Sequence, residues 1–184
     1  MTTITFEEAL AAFHNAKMKE RQDPLMTDYR ATPENAAITD FATTRQNDVA
    51  PNIALHTAVR PDKGKIYPIG VHRAVGGESD FATPGDLLCA AIAACLDSTI
   101  RIIANRLGLH LTRLAVDVAG DIDVRGTLRV CEETPVGFQT IDIHVDLETA
   151  ADLAPASRAA LIAAAEHSCV VLQTIRQNPA ISMS

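Results

Sequence analysis

The sequence predicts an α+β fold, with a mostly antiparallel sheet wrapped around one long buried helix. Three observations carry this. Strand-like segments come in runs and do not alternate with helices, which argues against a parallel βαβ sheet. Two of them, Leu111–Val124 and Phe138–Leu147, alternate apolar and polar residues as strands with one covered face do. Between the runs lies Leu87–Leu96 (LLCAAIAACL), apolar on every side. Such a helix is buried all round, as the central helix of a domain or at a subunit interface.

The elements follow in order. Residues 5–20 (TFEEALAAFHNAKMKE) place Phe6, Leu10, Phe13 and Met18 roughly along one side of a helix. Thr5 and Glu8 have the spacing of a capping box. Asp23-Pro24 and Thr32-Pro33 act as breakers in the polar stretch that follows. Residues 1–35 are read as a helical arm and residues 36–184 as the folded domain.

Ala37–Thr43, Ile53–Val59 and Tyr67–Val75 are predicted strands, with a turn at Pro61-Asp62-Lys63-Gly64 between the last two. Gly76-Gly77 and Ser79-Asp80 make a loop. Thr83 is an N-cap, Pro84 the first helical residue and Asp86 the third. This helix runs to about Leu107, where Gly108 stops it. Thr127–Cys131 extends the sheet after Leu111–Val124. In Phe138–Leu147, the residues Ile141, Ile143, Val145 and Leu147 share one face, with Asp142, His144 and Asp146 on the other. Asp152–His167 is a second helix with Pro155 near its start. Ala180–Met183 is read as a short last strand.

At 184 residues the chain buries a core without help from disulfides. A net charge of −7 disfavours a nucleic-acid surface, which needs clustered Lys and Arg. The lack of Trp removes the best base-stacking side chain. No run of about 18 uninterrupted apolar residues reads as a membrane span. The first residues carry Glu7 and Glu8 in place of a basic segment, so no signal peptide is read. Four cysteines without a tight framework suit a reducing compartment, and the cytoplasm is the expected location.

Chemistry rests on two of those cysteines, Cys95 in the apolar helix and Cys169 at the end of the second. Only the fold can bring them together. A redox pair, a metal site and a structural contact are all open at this point. Cys89 and Cys131 are read as small apolar residues. Cys89 lies six residues before Cys95, about 120° around the helix. Glu132 and Glu133 after Cys131 are expected to raise its thiol pKa. Near Cys169 in sequence stand His167 and Arg176, which are able to favour a thiolate, while Arg101 and Arg106 lie further along the helix from Cys95. A metal cluster of Cys95, Cys169 and His167 lacks the close ligand pairs of zinc sites. No Gly-x-Ser-x-Gly turn or phosphate loop is present.

Thr83-Pro-Gly-Asp-Leu-Leu-Cys-Ala-Ala-Ile-Ala-Ala-Cys95 resembles the central helix of the OsmC/Ohr family of organic-hydroperoxide-reducing proteins. There Pro-Glu-x-Leu leads to a cysteine at the same spacing. Ala163-Ala-Ala-Glu-His-Ser-Cys169-Val resembles the family's second cysteine motif. The resemblance covers roughly residues 36–184. It implies an OsmC-like fold that forms an intertwined homodimer. It also implies a thiol-dependent peroxidase for organic hydroperoxides, with Cys95 as the attacking thiol and Cys169 as its disulfide partner. An external thiol or dithiol serves as reductant, with no metal or bound cofactor. The chain departs from the pattern at two places. Gly85 stands where the family has a Glu that pairs with an Arg, and Val170 stands where a Pro usually follows the cysteine. Arg45 is the best match for the Arg, ahead of Arg60 and Arg73. Asp86 is read as a helix-start carboxylate, about 180° from Cys95. Arg45, Asp86 and His167 are the candidate supporting residues. The alternative is a redox sensor or small-ligand-binding relative with little peroxidase activity, because of Gly85.

Overall fold

The computed structural model describes residues 17–45, 49–62 and 64–183. Among the described residues, helix α1 (Met18–Ala31) comes first, followed by strands β1 (Ala42–Thr43), β2 (His56–Pro61) and β3 (Tyr67–Gly70). Helix α2 (Pro84–Arg106) leads to β4 (Leu111–Asp121), a single helical turn α3 (Val124–Thr127) and β5 (Thr140–Thr149). Helices α4 (Pro155–Ser168) and α5 (Val170–Gln177) close the order. The strands form two antiparallel sheets, β1-β2-β3 and β4-β5. The predicted α+β class is the observed one.

The start of α2 follows the sequence signals closely. Thr83 Oγ1 accepts from the Asp86 N–H, and the Asp86 carboxylate accepts from the Thr83 N–H at 2.8 Å. This reciprocal capping box satisfies two N–H groups that the first turn leaves without helical partners. Gly108 (φ +71°) takes the left-handed turn beyond the other end.

Ile92, Leu96, Ile100 and Ala104 recur every four residues and make the one buried stripe of α2. Ile92, Leu96 and Ile100 form one core cluster with Leu147 of β5, Leu161 and Ala165 of α4, Cys169, and Leu172 of α5. The β4-β5 sheet therefore covers one side of α2, and α4 and α5 pack against another. Val116 opposes Val145 and Leu114 opposes Leu147, and the register shifts between Leu111 and Arg113. Arg158 donates to the Val145 carbonyl at 3.0 Å, tying α4 to β5.

Several expectations need correction. Leu87–Leu96 is not buried all round in the single chain, because Ala90, Ala91 and Ala94 are exposed. The chain supplies cover for only part of that helix. By length and mean hydropathy (1.9), α2 could also cross a membrane. Its buried stripe instead marks it as a core helix of this fold.

Pro24 does not break the chain but lies inside α1. No residue of α1 is buried, so water can solvate the carbonyl that Pro24 leaves unpaired. The predicted helix over 5–20 falls mostly on residues outside those described.

Of Ala37–Thr43, only Ala42 and Thr43 pair. Tyr67–Val75 ends as a strand at Gly70, after which His72 Nδ1 accepts from the Ala74 N–H and starts a tight turn over Arg73–Val75. Thr127–Cys131 is not a strand either. Asp123 caps the turn α3 by accepting from the Arg125 N–H, Gly126 is buried there, and Arg129 has φ +56°. Ala180–Met183 pairs with no strand among the described residues. Asn178 (φ 45°) ends α5, and the tail leaves Ile181 exposed.

Candidate active site

The fold brings Cys95 and Cys169 together from segments 74 positions apart (169 − 95). Cys95 lies just before the buried Leu96, so it is half-buried against the core. Cys169 stands between α4 and α5 and is 0% exposed. Its extended backbone (φ −77°, ψ 107°) breaks the two helices apart, and its carbonyl accepts from the Gln173 N–H to begin α5. Both cysteines are free thiols.

Cys95 packs against the core cluster that contains Cys169. Burial pushes the Cys169 thiol above its ordinary pKa. The N–H groups of Leu172 and Val171 at the start of α5 act against this, and the neighbouring Cys95 adds to the rise. Cys169 therefore holds its proton more firmly than an ordinary thiol does.

This shift has a consequence for stability. Below the ordinary thiol pKa of about 8.5, folded and unfolded chains both hold the Cys169 proton, and its contribution to stability is fully present. Above that pH the unfolded chain releases the proton first. Stability is then lost as pH rises through the folded-state pKa. We expect the urea midpoint of the reduced protein to fall between neutral and alkaline pH, and to fall less in Cys169→Ala. Equal pH slopes in the two proteins would contradict this assignment.

The expected cations are committed elsewhere. Arg101 pairs with Asp97 through two contacts, at 2.6 and 3.1 Å. Arg106 binds Asp23 and Gln22 of α1. Arg176 pairs with Glu166 across the α4-α5 corner. Arg45 lies in the exposed turn after β1, where its N–H donates to Thr43 Oγ1. None of these interactions brings Arg45 to the thiols. His167 is exposed in the last turn of α4 and lines a shallow surface pocket with Val170 and Gln173. Asp86 is held at the helix start as expected. Hydrogen bonds from Thr83 hold its carboxyl below the usual range, with a smaller effect from nearby His72.

Two readings of the other cysteines change. Cys131 was expected to be a poor thiolate because of Glu132 and Glu133. Its pKa is instead lowered, first by the Thr134 hydroxyl and then by the Glu133 N–H. Direct hydrogen bonds outweigh neighbouring exposed charges, which water screens. Cys89 is not only a packing residue, since it lies on the wall of a cavity of ≈ 870 Å³ at the first turns of α2. His72, assigned to a strand from the sequence, also lines that cavity, and His144 faces Asp117 across β4-β5. Nothing local in the sequence marks the cavity, because its walls come from β3, α2, β4 and the loop at Phe138.

A family model described as OsmC-like protein matches residues 77–184. Several solved structures share the fold. An organic hydroperoxide resistance protein from Elizabethkingia anophelis matches with a TM-score of 0.59 at 19% identity, over 77% of this chain and 91% of that one. One from Legionella pneumophila gives 0.56 at 23% identity, over 77% and 91%. An OsmC-like protein from Mycoplasma pneumoniae gives 0.56 at 13% identity, over 76% and 87%. Such identities establish the fold. Sequence comparison with curated proteins finds no match.

Proposed function

The chain belongs to the OsmC-like protein family, and on that premise we propose that it is a thiol-dependent peroxidase for organic hydroperoxides. The observation that carries this is that Cys95 packs against the core cluster that holds Cys169. Cys95 is the attacking thiol because it is the accessible one of the pair. Cys169 is enclosed and retains its proton.

In the first step the Cys95 thiolate attacks the outer peroxide oxygen. An S–O bond forms, the O–O bond breaks, and the alkoxide takes a proton and leaves as the alcohol. Cys95 is then a sulfenic acid. In the second step the Cys169 sulfur attacks the Cys95 sulfur, an S–S bond forms and water leaves, carrying the Cys169 proton. An external dithiol reduces the disulfide by exchange and is itself oxidised. The exposed Ala90, Ala91 and Ala94 face of α2 supports a homodimer built on that helix. The cytoplasm suits such a cycle, since it keeps thiols reduced.

One observation favours a second reading, a redox sensor with little turnover. Position 85 carries no carboxylate, Asp86 is tied into its cap, and Arg101, Arg106 and Arg176 are paired elsewhere. Both readings expect one equivalent of cumene hydroperoxide to convert Cys95 and Cys169 to a disulfide, seen by peptide mapping, with Cys89 and Cys131 left as thiols. Continued peroxide loss with dithiothreitol present supports the peroxidase. Oxidation that stops after one equivalent under the same conditions supports the sensor. A different pairing, or none, overturns both.

A further inference from the structure

Nothing in the local sequence explains why the helix breaks at Cys169. Residues 163–177 (AAAEHSCVVLQTIRQ) contain no Gly or Pro to stop it. The chain nevertheless divides into α4 and α5, with Cys169 extended between them (φ −77°, ψ 107°). A break of this kind leaves the last carbonyls of α4 without helical partners. The Glu166 carbonyl has new ones. It accepts from the Cys169 N–H at 3.4 Å and from the Gln173 side-chain amide at 3.0 Å. Gln173 also donates its backbone N–H to the Cys169 carbonyl at 2.9 Å, and its side-chain oxygen accepts from Gln177 at 3.3 Å. The Glu166 carboxylate pairs with Arg176 across the same corner.

The two side-chain contacts to Glu166 belong to the broken form alone. In an unbroken helix the Val170 N–H would occupy the Glu166 carbonyl, with Gln173 about 10.5 Å further along the axis. Arg176 would stand about 15 Å along it, out of reach of the Glu166 carboxylate. In the broken form Cys169 is 0% exposed, within the cluster that Cys95 packs against. The Gln173 amide is the weightier of the two contacts. Its hydrogen bond is partly buried, whereas the Arg176 side chain is 58% exposed and water screens its ion pair.

We propose that Gln173 is a positioning residue for Cys169, its side-chain amide holding the α4-α5 break in the form that presents this thiol to Cys95. This role rests on reading the two cysteines as a disulfide-forming pair. Gln173→Met keeps the bulk and removes the donor. In the reduced full chain it is expected to speed alkylation of Cys169 by N-ethylmaleimide roughly five- to tenfold, the weight of one hydrogen bond, with Cys131 at its wild-type rate. Closure of the Cys95–Cys169 disulfide by diamide is expected to slow by a similar factor. Diamide takes up the two electrons and two protons of the thiols and becomes a hydrazine. The rescue is Val170→Pro added to Gln173→Met. A proline at the first helical position needs no N–H and confines the residue before it to extended conformations. Val170 is 69% exposed, so the ring has room. Both rates are expected to return to within about twofold of wild type, which a proline three residues away would not achieve for lost packing at position 173. Peptide mapping reads every rate. An unchanged rate of either kind in Gln173→Met overturns the proposal, as does a defect that Val170→Pro leaves in place, or a wild type that diamide cannot close. Closure by diamide but not by cumene hydroperoxide refutes the peroxidase reading alone.

Discussion

Replacing Cys95 by Ser is expected to reduce hydroperoxide turnover by roughly three orders of magnitude or more, since no other group takes over the attack on oxygen. Cys89 is about 120° away around α2, and Cys131 lies in the loop after α3. Neither is placed to hand a sulfenic acid to Cys169. The complementary variant, Cys169→Ser, is expected to behave differently. Its Cys95 still reacts with the first equivalent of peroxide, but the sulfenic acid then persists and can be trapped with dimedone. Following cumene hydroperoxide loss with dithiothreitol present separates the two variants. Unchanged turnover in Cys95→Ser would remove Cys95 from the mechanism.

Ile100→Ala is expected to destabilise the protein by about 2–5 kcal/mol. Ile100 is 0% exposed at the centre of the α2 stripe, where sheet and helices close around it. The loss combines removed apolar transfer with the cavity left behind, because α2 is fixed on several sides and cannot collapse into the space. Ile38→Ala is the control. Ile38 is 83% exposed, and its truncation is expected to stay within about 0.5 kcal/mol. Urea midpoints at unchanged slope measure both. A shift for Ile100→Ala no larger than that of the control would mean that the core does not lie where the buried stripe puts it.

The parts of the fold that were legible in the sequence are those set by local chemistry. Thr83, Pro84 and Asp86 each have one favoured place at a helix start, and the structure puts all three there. Alternation in β4 and β5 holds because one face of that sheet meets α2. Local signals failed where the surroundings decide. Pro24 reads as a breaker, but an exposed helix tolerates it. Leu128, Val130 and Cys131 look strand-like, yet Asp123 caps a turn before them and Arg129 takes a left-handed conformation.

At the candidate site, the two cysteines stand out through their motifs, and their meeting in one core cluster depends on the α4-α5 break that buries Cys169. The fate of the arginines was not legible. Arg101 and Arg176 find carboxylates four residues away on α2 and across the α4-α5 corner, and only Arg101 has a partner at helix spacing that the sequence shows. The cavity was hidden for the same reason, since its lining is gathered from segments spread between His56 and Phe138.

Helix α1 buries nothing, and it is fastened to the far end of α2 by a few polar contacts, Met18 to Asn105 and Arg106 to Gln22 and Asp23. Fastenings of this kind loosen in salt, whereas the packed stripe of α2 does not. In amide exchange the two helices therefore keep different clocks. The α1 amides are expected to exchange by local opening and to speed up with ionic strength. Those around Ile92–Ile100 wait for the whole domain to unfold. A protease should likewise remove the arm while the thiol pair stays housed.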